Sequence, residues 1–204
     1  MESAAQVIGD AVVHADKVAT LWINSFHTPV SDEVWIFFSK VAVWFPLYAL
    51  VTFFLFRRLG WKRALVAVAA IALTFACSEQ ISHLFKNWIC RLRPSHDPWM
   101  LSNGLYLPGD AGGLYGFFSG HAANTFGFAA SSSGIFRSDT RHGYRLYGRA
   151  IFLWAFLVSL SRIFLGRHYL GDILVGAIVG GLIGYLFSLV YRRCAERIPS
   201  PGER

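Results

Sequence analysis

The sequence predicts an all-α integral membrane protein: a bundle of about five transmembrane helices with an amphipathic, interfacial helix at its N-terminus. Three observations lead there. More than half of the 204 residues are apolar (54%), and the mean hydropathy is positive. Apolar runs recur that are long enough to cross a bilayer, which takes roughly 20 helical residues. The charged residues, only 15% of the chain, gather at the ends of those runs, where a water-soluble domain would spread them over its surface.

Taken in order, residues 3–26 set Val7, Ile8, Val12, Val13, Val18, Leu21, Trp22 and Phe26 among Asp10, His14, Asp16 and Lys17. That stretch is too polar to span and predicts a helix lying along the interface; a helix that docks on a partner is the alternative. His27, Thr28 and Pro29 break it before Ser31 and Asp32 start the next helix. Predicted spans follow at 34–56, 64–85, 118–136, 147–165 and 169–191. The third is the least apolar, with Ser119, His121, Asn124 and three consecutive serines, and polar groups at that depth must face the bundle interior. Gly176, Gly180 and Gly184 share one face of the last span and predict close helix packing. Trp35, Trp88, Trp99, Tyr147 and Tyr169 near span ends fit an aromatic belt. The chain reads as a single domain, with 1–33 the amphipathic segment, 34–191 the helical bundle and 192–204 a cytoplasmic tail.

A net charge of +7 raises nucleic acid as a partner, but no basic stripe lies on a soluble face, so membrane topology explains the charge better. Arg57, Arg58, Lys62, Arg63, Arg137, Arg141, Arg145, Arg149, Arg192, Arg193, Arg197 and Arg204 all fall on one side, the cytoplasm by the positive-inside rule. On the far side Lys86, Arg91, Arg93, Arg162 and Arg167 crowd into two segments against that rule, and binding an anion would be the reason. Cys77, Cys90 and Cys194 sit at different depths and are expected to be free thiols. The N-terminus lacks the basic start and cleavage pattern of a signal peptide, so no removed leader is expected.

The chemistry-bearing stretch is Ser161–Asp172, SRIFLGRHYLGD. A neutral imidazole at His168 suits attack on phosphorus. Asp172, four residues on along a helix, can hold its other ring nitrogen, and Arg162 can fork onto two phosphate oxygens. An interfacial ion pair of Arg162 with Asp172, or half a metal site at His168 and Asp172, are the plainer readings. Lys86 and Arg93 bring two more cations to the same surface, Lys86 being otherwise a snorkelling anchor. Ser119, Gly120 and His121 open the third span, where unpaired N–H groups favour an anion; Ser119 doubles as a helix cap, and His121 can pass a proton to a leaving oxygen. Glu79 and His83 lie one to two turns below Lys86. Glu79 needs a partner at that depth, expected to be Lys40, and His83 is expected to make a structural hydrogen bond. His14, His27, His96 and His142 read as solvated.

Lys86 with Arg93 and Pro94, Ser119 with Gly120 and His121, and Ser161 and Arg162 with His168 and Asp172 together resemble the three signature blocks of the type 2 phosphatidic acid phosphatase superfamily, over about residues 34–191. One departure is Phe118, where that family usually has proline, which puts local rigidity at the helix start in question. The resemblance implies a phosphohydrolase that needs no metal or cofactor and works through a phosphohistidine. His168 would be the nucleophile, Asp172 its orienting partner and His121 the acid. Lys86, Arg93, Ser119, Gly120 and Arg162 would hold the phosphoryl oxygens. Arg91 and Arg167 flank these cations and are expected to take a second phosphate or to attract headgroups, and residues 95–118 are expected to form an outer rim.

The expected partner is therefore a phosphorylated lipid in the bilayer, met on the outer side of the cytoplasmic membrane. Undecaprenyl pyrophosphate is the first expectation and a lipid A class glycolipid the second, with phosphatidylglycerol phosphate or phosphatidic acid open. A transporter with an anion site is the competing class, although it would want polar residues through the whole bilayer thickness.

Overall fold

Prolines, glycines and small polar residues set the helix boundaries. A computed structural model describes residues 4–198 as an all-helical bundle without a strand among them. α1 runs Ala4–Asn24 and α2 runs Pro29–Ser39, the latter started by a capping box in which Thr28 Oγ1 accepts from Ser31 N (3.1 Å) and Ser31 Oγ from Thr28 N (2.8 Å). The predicted span 34–56 is broken: α2 ends at Ser39, a 3₁₀ turn covers Val41–Trp44, and α3 is Phe45–Leu59 with Pro46 in its first turn. The break falls at the polar pair Ser39 and Lys40, and Pro46, with no N–H to give and a ring that crowds the carbonyl four residues back, sits where α3 starts afresh. Gly60, at φ 76°, separates α3 from α4, Trp61–Ile89. The 29 residues of α4 span about 43 Å, more than the hydrocarbon core, and lift Lys86 to headgroup level.

At its end Cys90 takes a left-handed conformation (φ 51°) that turns the chain back. Residues 91–93 then run beside 114–116, with Arg93 N donating to Leu114 O (3.0 Å) and Gly116 N to Arg91 O (2.9 Å). α5, Pro98–Ser102, lies in the following loop; α6 is Gly120–Phe136, α7 Arg145–Phe164 and α8 Leu170–Ala195.

Four segments are long and apolar enough to cross a membrane: Val41–Leu59, α4, α7 and α8. α6, the expected third span, is not among them; it is the interior helix, packed most extensively on α8 and then on α4 and α7, with most of its residues buried. Some of its polar groups are satisfied inside, Ser132 Oγ donating to Phe128 O (2.6 Å) and accepting from the Tyr147 hydroxyl (2.7 Å), while Asn124 Oδ1 and Ser133 Oγ find no partner among the described residues. The glycine face of α8 makes this packing possible. A Cβ at Gly176 would lie 2.6 Å from the Ser119 carbonyl, and at Gly180 and Gly184 it would run into the carbonyls of Ala123 and Gly127.

α1 is amphipathic, but its polar face is not turned to water. Val7, Ile8, Val12, Val13, Val18 and Trp22 are exposed, while Asp16, Lys17, Thr20 and Asn24 reach onto the bundle. Asn24 bridges Tyr106 N (2.8 Å) and the carbonyls of Ile163 and Phe164 (3.1 Å each), and Thr20 accepts from Leu170 N (3.0 Å). An outward apolar face with an inward polar one suits a helix lying against lipid. At the opposite end of the bundle the C-termini of α3, α6 and α8 and the N-termini of α4 and α7 carry the basic residues read as cytoplasmic. The three cysteines are free.

Candidate active site

Two loops and five helix ends, the C-termini of α2, α4 and α7 and the N-termini of α6 and α8, meet at the end of the bundle away from the basic residues read as cytoplasmic. After α7 the chain turns at Gly166 (φ 62°), and both Arg167 N (2.9 Å) and His168 N (3.3 Å) return to the Arg162 carbonyl. This folds Arg162, Arg167 and His168 toward one space. Asp172 sits in the first turn of α8, where Tyr169 N donates to its Oδ2 (3.1 Å). The same Oδ2 lies 3.4 Å from His168 Nδ1, and the Gly116 carbonyl also contacts the imidazole. Oδ1 takes Arg91 Nη1 at 2.8 Å. Arg91 is itself clamped by Asp16 of α1 (2.7 Å) and lies 3.9 Å over the Tyr169 ring. Tyr169 and Lys17 in turn hold Asp97 (2.7 and 2.6 Å), and although burial opposes it, those two bonds keep the Asp97 carboxyl below its ordinary value.

The cavity these groups border has a volume of about 540 Å³. Lys86, Arg93, Arg162 and Arg167 line it from four places in the chain, with His121 and His168 between them. Arg93 is fixed through Nε to the Tyr115 carbonyl (3.1 Å). Arg162 is 2% exposed; it donates through Nη1 to the Ser39 hydroxyl, and its Nε–H has no protein partner. The Ser39 carbonyl, one of the acceptors left over at the end of α2, bonds His121. The break after Ser39 thus orients two site groups at once. Gly116 and Gly112 allow the loop to close over the site: a Cβ at Gly116 would sit 2.9 Å from Arg93 Cγ and 3.5 Å from His168 Nδ1, and one at Gly112 3.1 Å from Arg93 Nη1.

His168 is 2% exposed. Burial, followed by the charges of Arg162, Arg93 and Lys86, holds its imidazole well below the ordinary histidine pKa. Its Nδ1 faces Asp172, and its Nε2 meets no protein hydrogen-bond partner, so a neutral nitrogen lone pair borders a space walled by cations. That arrangement accepts a tetrahedral oxyanion and can attack it.

Residues 63–196 match the family model for the PAP2 superfamily. The chain belongs to that superfamily. A Lipid A 4'-phosphatase of Bacteroides thetaiotaomicron is 37% identical over 194 residues, 92% of this chain and 84% of its own length. Among solved structures, the crystal structure of a transmembrane PAP2 type phosphatidylglycerolphosphate phosphatase from Bacillus subtilis superposes with TM-score 0.67 at 21% identity, covering 98% of this chain and 93% of that one. That of Aquifex aeolicus LpxE gives 0.59 at 27%, covering 85% and 93%. This PAP2 protein is a membrane lipid phosphatase.

Not every residue singled out in the PAP2 sequence reaches the cavity. Ser119 is fully buried; its Oγ caps α6 weakly (3.4 Å from Ala122 N) and its N–H donates to the Asp172 carbonyl. Gly120 does line the space. Arg91 is spent on Asp172 and Asp16 and does not line it, so it is a brace and not a second phosphate-binding group. Arg167 lines the cavity and pairs with the exposed Asp110 (2.8 Å). Glu79 does not meet Lys40, which is exposed at the α2 break; it accepts from Asn124 Nδ2 at 2.9 Å. His83 is exposed, lies off the cavity and makes no hydrogen bond among the described residues. His142 is the exposed loop residue expected, and it also bridges Asp139 and Arg58. Phe118, standing where proline was expected, is fully buried against Phe85, and its carbonyl accepts from Ser82 (3.2 Å), so packing fixes the entry to α6. Ser39 and Gly116 escaped the sequence reading, as did the pairing of Asn124 with Glu79 and the inward role of Asp16. Asp16, Thr20 and Asn24 recur every four residues, a polar stripe that could have signalled the docked face of α1.

Proposed function

We propose that this protein removes a phosphate group from a lipid A class glycolipid at the outer face of the cytoplasmic membrane, through a phosphohistidine on His168 and without a metal. One observation carries the reading: a buried, neutral imidazole is held by a carboxylate on one side and left open on the other to a cavity walled by four cations. The family relationship supports the lipid class, since two relatives matched over about nine-tenths of this chain are Lipid A 4'-phosphatases. That favours the glycolipid over a polyprenyl pyrophosphate. The outer orientation is supported by the basic residues gathered at the opposite end of the bundle.

In the first half, His168 Nε2 attacks phosphorus and the P–O bond to the sugar breaks. His121, protonated as the negative charge of the phosphate enters beside it, gives that proton to the departing oxygen, and the positive charge that develops on the phosphorylated ring of His168 is met by Asp172 through Nδ1–H. Lys86, Arg93, Arg162 and the Gly120 amide hold the phosphoryl oxygens, where charge stabilisation is the largest single contribution to rate. In the second half, His121 takes a proton from water, the hydroxide displaces His168 Nε2 from phosphorus, and both histidines return to their starting states. The lower wall, with Phe38, Trp44 and Phe75, receives the apolar part of the substrate from the bilayer.

The test is phosphate release by purified protein in detergent from lipid A, with a chelator present and His168→Ala alongside. The expected result is chelator-insensitive release, a loss of at least about 10³-fold in the variant, and an acid-labile phosphoenzyme trapped in the wild type only. Release that the variant keeps, or that the chelator abolishes, would overturn the mechanism.

A further inference from the structure

Glu79 and Asn124 sit where no phosphate-binding role explains them. On α4, Glu79 follows Lys86 by about two turns toward the membrane interior and precedes Phe75; on α6, Asn124 lies one turn below His121. All five line the cavity. The pair therefore stands between the cations and the apolar wall, on the side where His121 meets the departing oxygen. Its chemistry is one-sided. A carboxylate only accepts hydrogen bonds, so the 2.9 Å contact fixes Asn124 with Nδ2 toward Glu79 and turns its Oδ1 away. The Glu79 carboxylate thus lines the cavity with one oxygen free of a protein donor, and Asn124 Oδ1, covered in the resting site, has no donor either among the described residues. The carboxylate also reaches the edge of the cation cradle: a Cβ on Gly120 would be 3.5 Å from both Glu79 Oε2 and Lys86 Nζ.

We infer that Glu79 and Asn124 select the leaving group: they accept hydrogen bonds from hydroxyl or amide N–H donors of a phosphorylated sugar and exclude a leaving group that is itself an anion. This rests on the reading of the site given above and deepens it. A sugar bearing free hydroxyls and amide N–H groups satisfies both acceptors. A diacylglycerol leaving group offers them no donor. The polyprenyl monophosphate released from a pyrophosphate would set a second phosphate against a carboxylate in a poorly solvated cleft, a like-charge contact that costs binding.

Ratios of kcat/KM measured within one preparation cancel the folded fraction, so a partly misfolded variant still gives an answer. Full-length protein in detergent would be assayed on lipid A, phosphatidic acid and farnesyl pyrophosphate. Glu79→Gln, which keeps the shape and removes the charge, should raise farnesyl pyrophosphate relative to phosphatidic acid by about tenfold. Asn124→Leu should lower lipid A relative to phosphatidic acid by a similar factor, about what one unmet buried hydrogen bond is worth. Equal factors on all three substrates would show that the pair only supports the fold and would overturn the inference. His168→Ala separates the two levels: if it abolishes release while the ratios fail to move, the selectivity inference alone is wrong. If His168→Ala still turns over, the reading of the site falls and this inference with it.

Discussion

Asp172 at the outer end of the bundle and Asp139 at the inner end are buried carboxylates, each surrounded by an arginine, a histidine and a tyrosine. Asp139 takes Arg141 Nε at 2.9 Å, His142 Nδ1 at 2.8 Å and the Tyr144 hydroxyl at 2.7 Å. Asp172 takes Arg91 Nη1, Tyr169 N and His168 Nδ1, the last at 3.4 Å. The difference lies on the far side of each imidazole. His142 Nε2 accepts from Arg58, and the Arg141 guanidinium continues to the Arg58 carbonyl, so the inner network closes on itself. The corresponding nitrogen of His168 meets no protein donor and borders a cavity with four cations. One set of groups makes a staple or a nucleophile according to whether the second ring nitrogen is used up.

If that contrast holds, the arginines at the two ends should not be equivalent. Arg162→Gln removes a buried charge from the phosphate side of His168 and should lower kcat/KM on lipid A by about 10²–10³-fold, the usual cost of losing one preorganised donor to a phosphoryl group. Arg141→Gln, at the inner end, should leave kcat/KM of the folded protein unchanged. Steady-state phosphate release on both variants checks the pair, and equal losses would erase the distinction.

How far the sequence discloses this contrast depends on the range of the contacts. The blocks holding Lys86, Arg93, Gly120, His121 and Arg162 could be read from their resemblance to the family's signatures, and the pair of His168 and Asp172 from its four-residue spacing, which helix geometry puts on one face. The α8 glycines were legible for the same reason. What could not be read is the long-range closure. Arg91, 81 residues from Asp172, looked like one of several interchangeable cations, and only the left-handed turn at Cys90 decides that it points at Asp172 while Arg93 points at the cavity. The break after Ser39 was passed over because Ser39 and Lys40 are only two polar residues in a long apolar run, and with it the reach of Ser39 to Arg162 and His121. Pairing Glu79 with Lys40 failed because it assumed a buried acid in need of a countercharge, whereas Glu79 is exposed and an amide one helix away meets one oxygen. The inner network was missed because Asp139, Arg141, His142 and Tyr144 carry the marks of a polar loop.

A smaller effect should appear in the pH profile. His168 is held below the ordinary histidine value of about 6.5 by burial and then by Arg162, Arg93 and Lys86. A lowered pKa means that the neutral, attacking form persists to more acid pH, so the limb of kcat/KM governed by this group should lie below 6.5. Removing the Arg162 charge takes away the largest of the electrostatic causes, so in Arg162→Gln the residual activity should show that limb displaced toward higher pH. A limb that stayed in place would mean that the guanidinium does not act on the imidazole.

The least effect on chemistry, and a clear one on folding, is expected at the inner end. Three side-chain donors hold the Asp139 carboxyl below its ordinary value against the opposing influence of burial. Asp139→Ala leaves Tyr144 and His142 without their acceptor and should cost about 1–3 kcal/mol of stability, read as a lower thermal midpoint in detergent, with kcat/KM per folded molecule unaltered. The pH dependence follows from the sign of the shift. A carboxyl bound more weakly by protons when folded than when unfolded adds stability above its unfolded pKa of about 3.9 and loses it as pH falls through the folded value. The gap between wild type and Asp139→Ala should therefore be constant near neutrality and narrow only in acid. A gap that already closed near neutrality would show that this carboxyl does not control it, and the contrast between the two ends would lose its inner half.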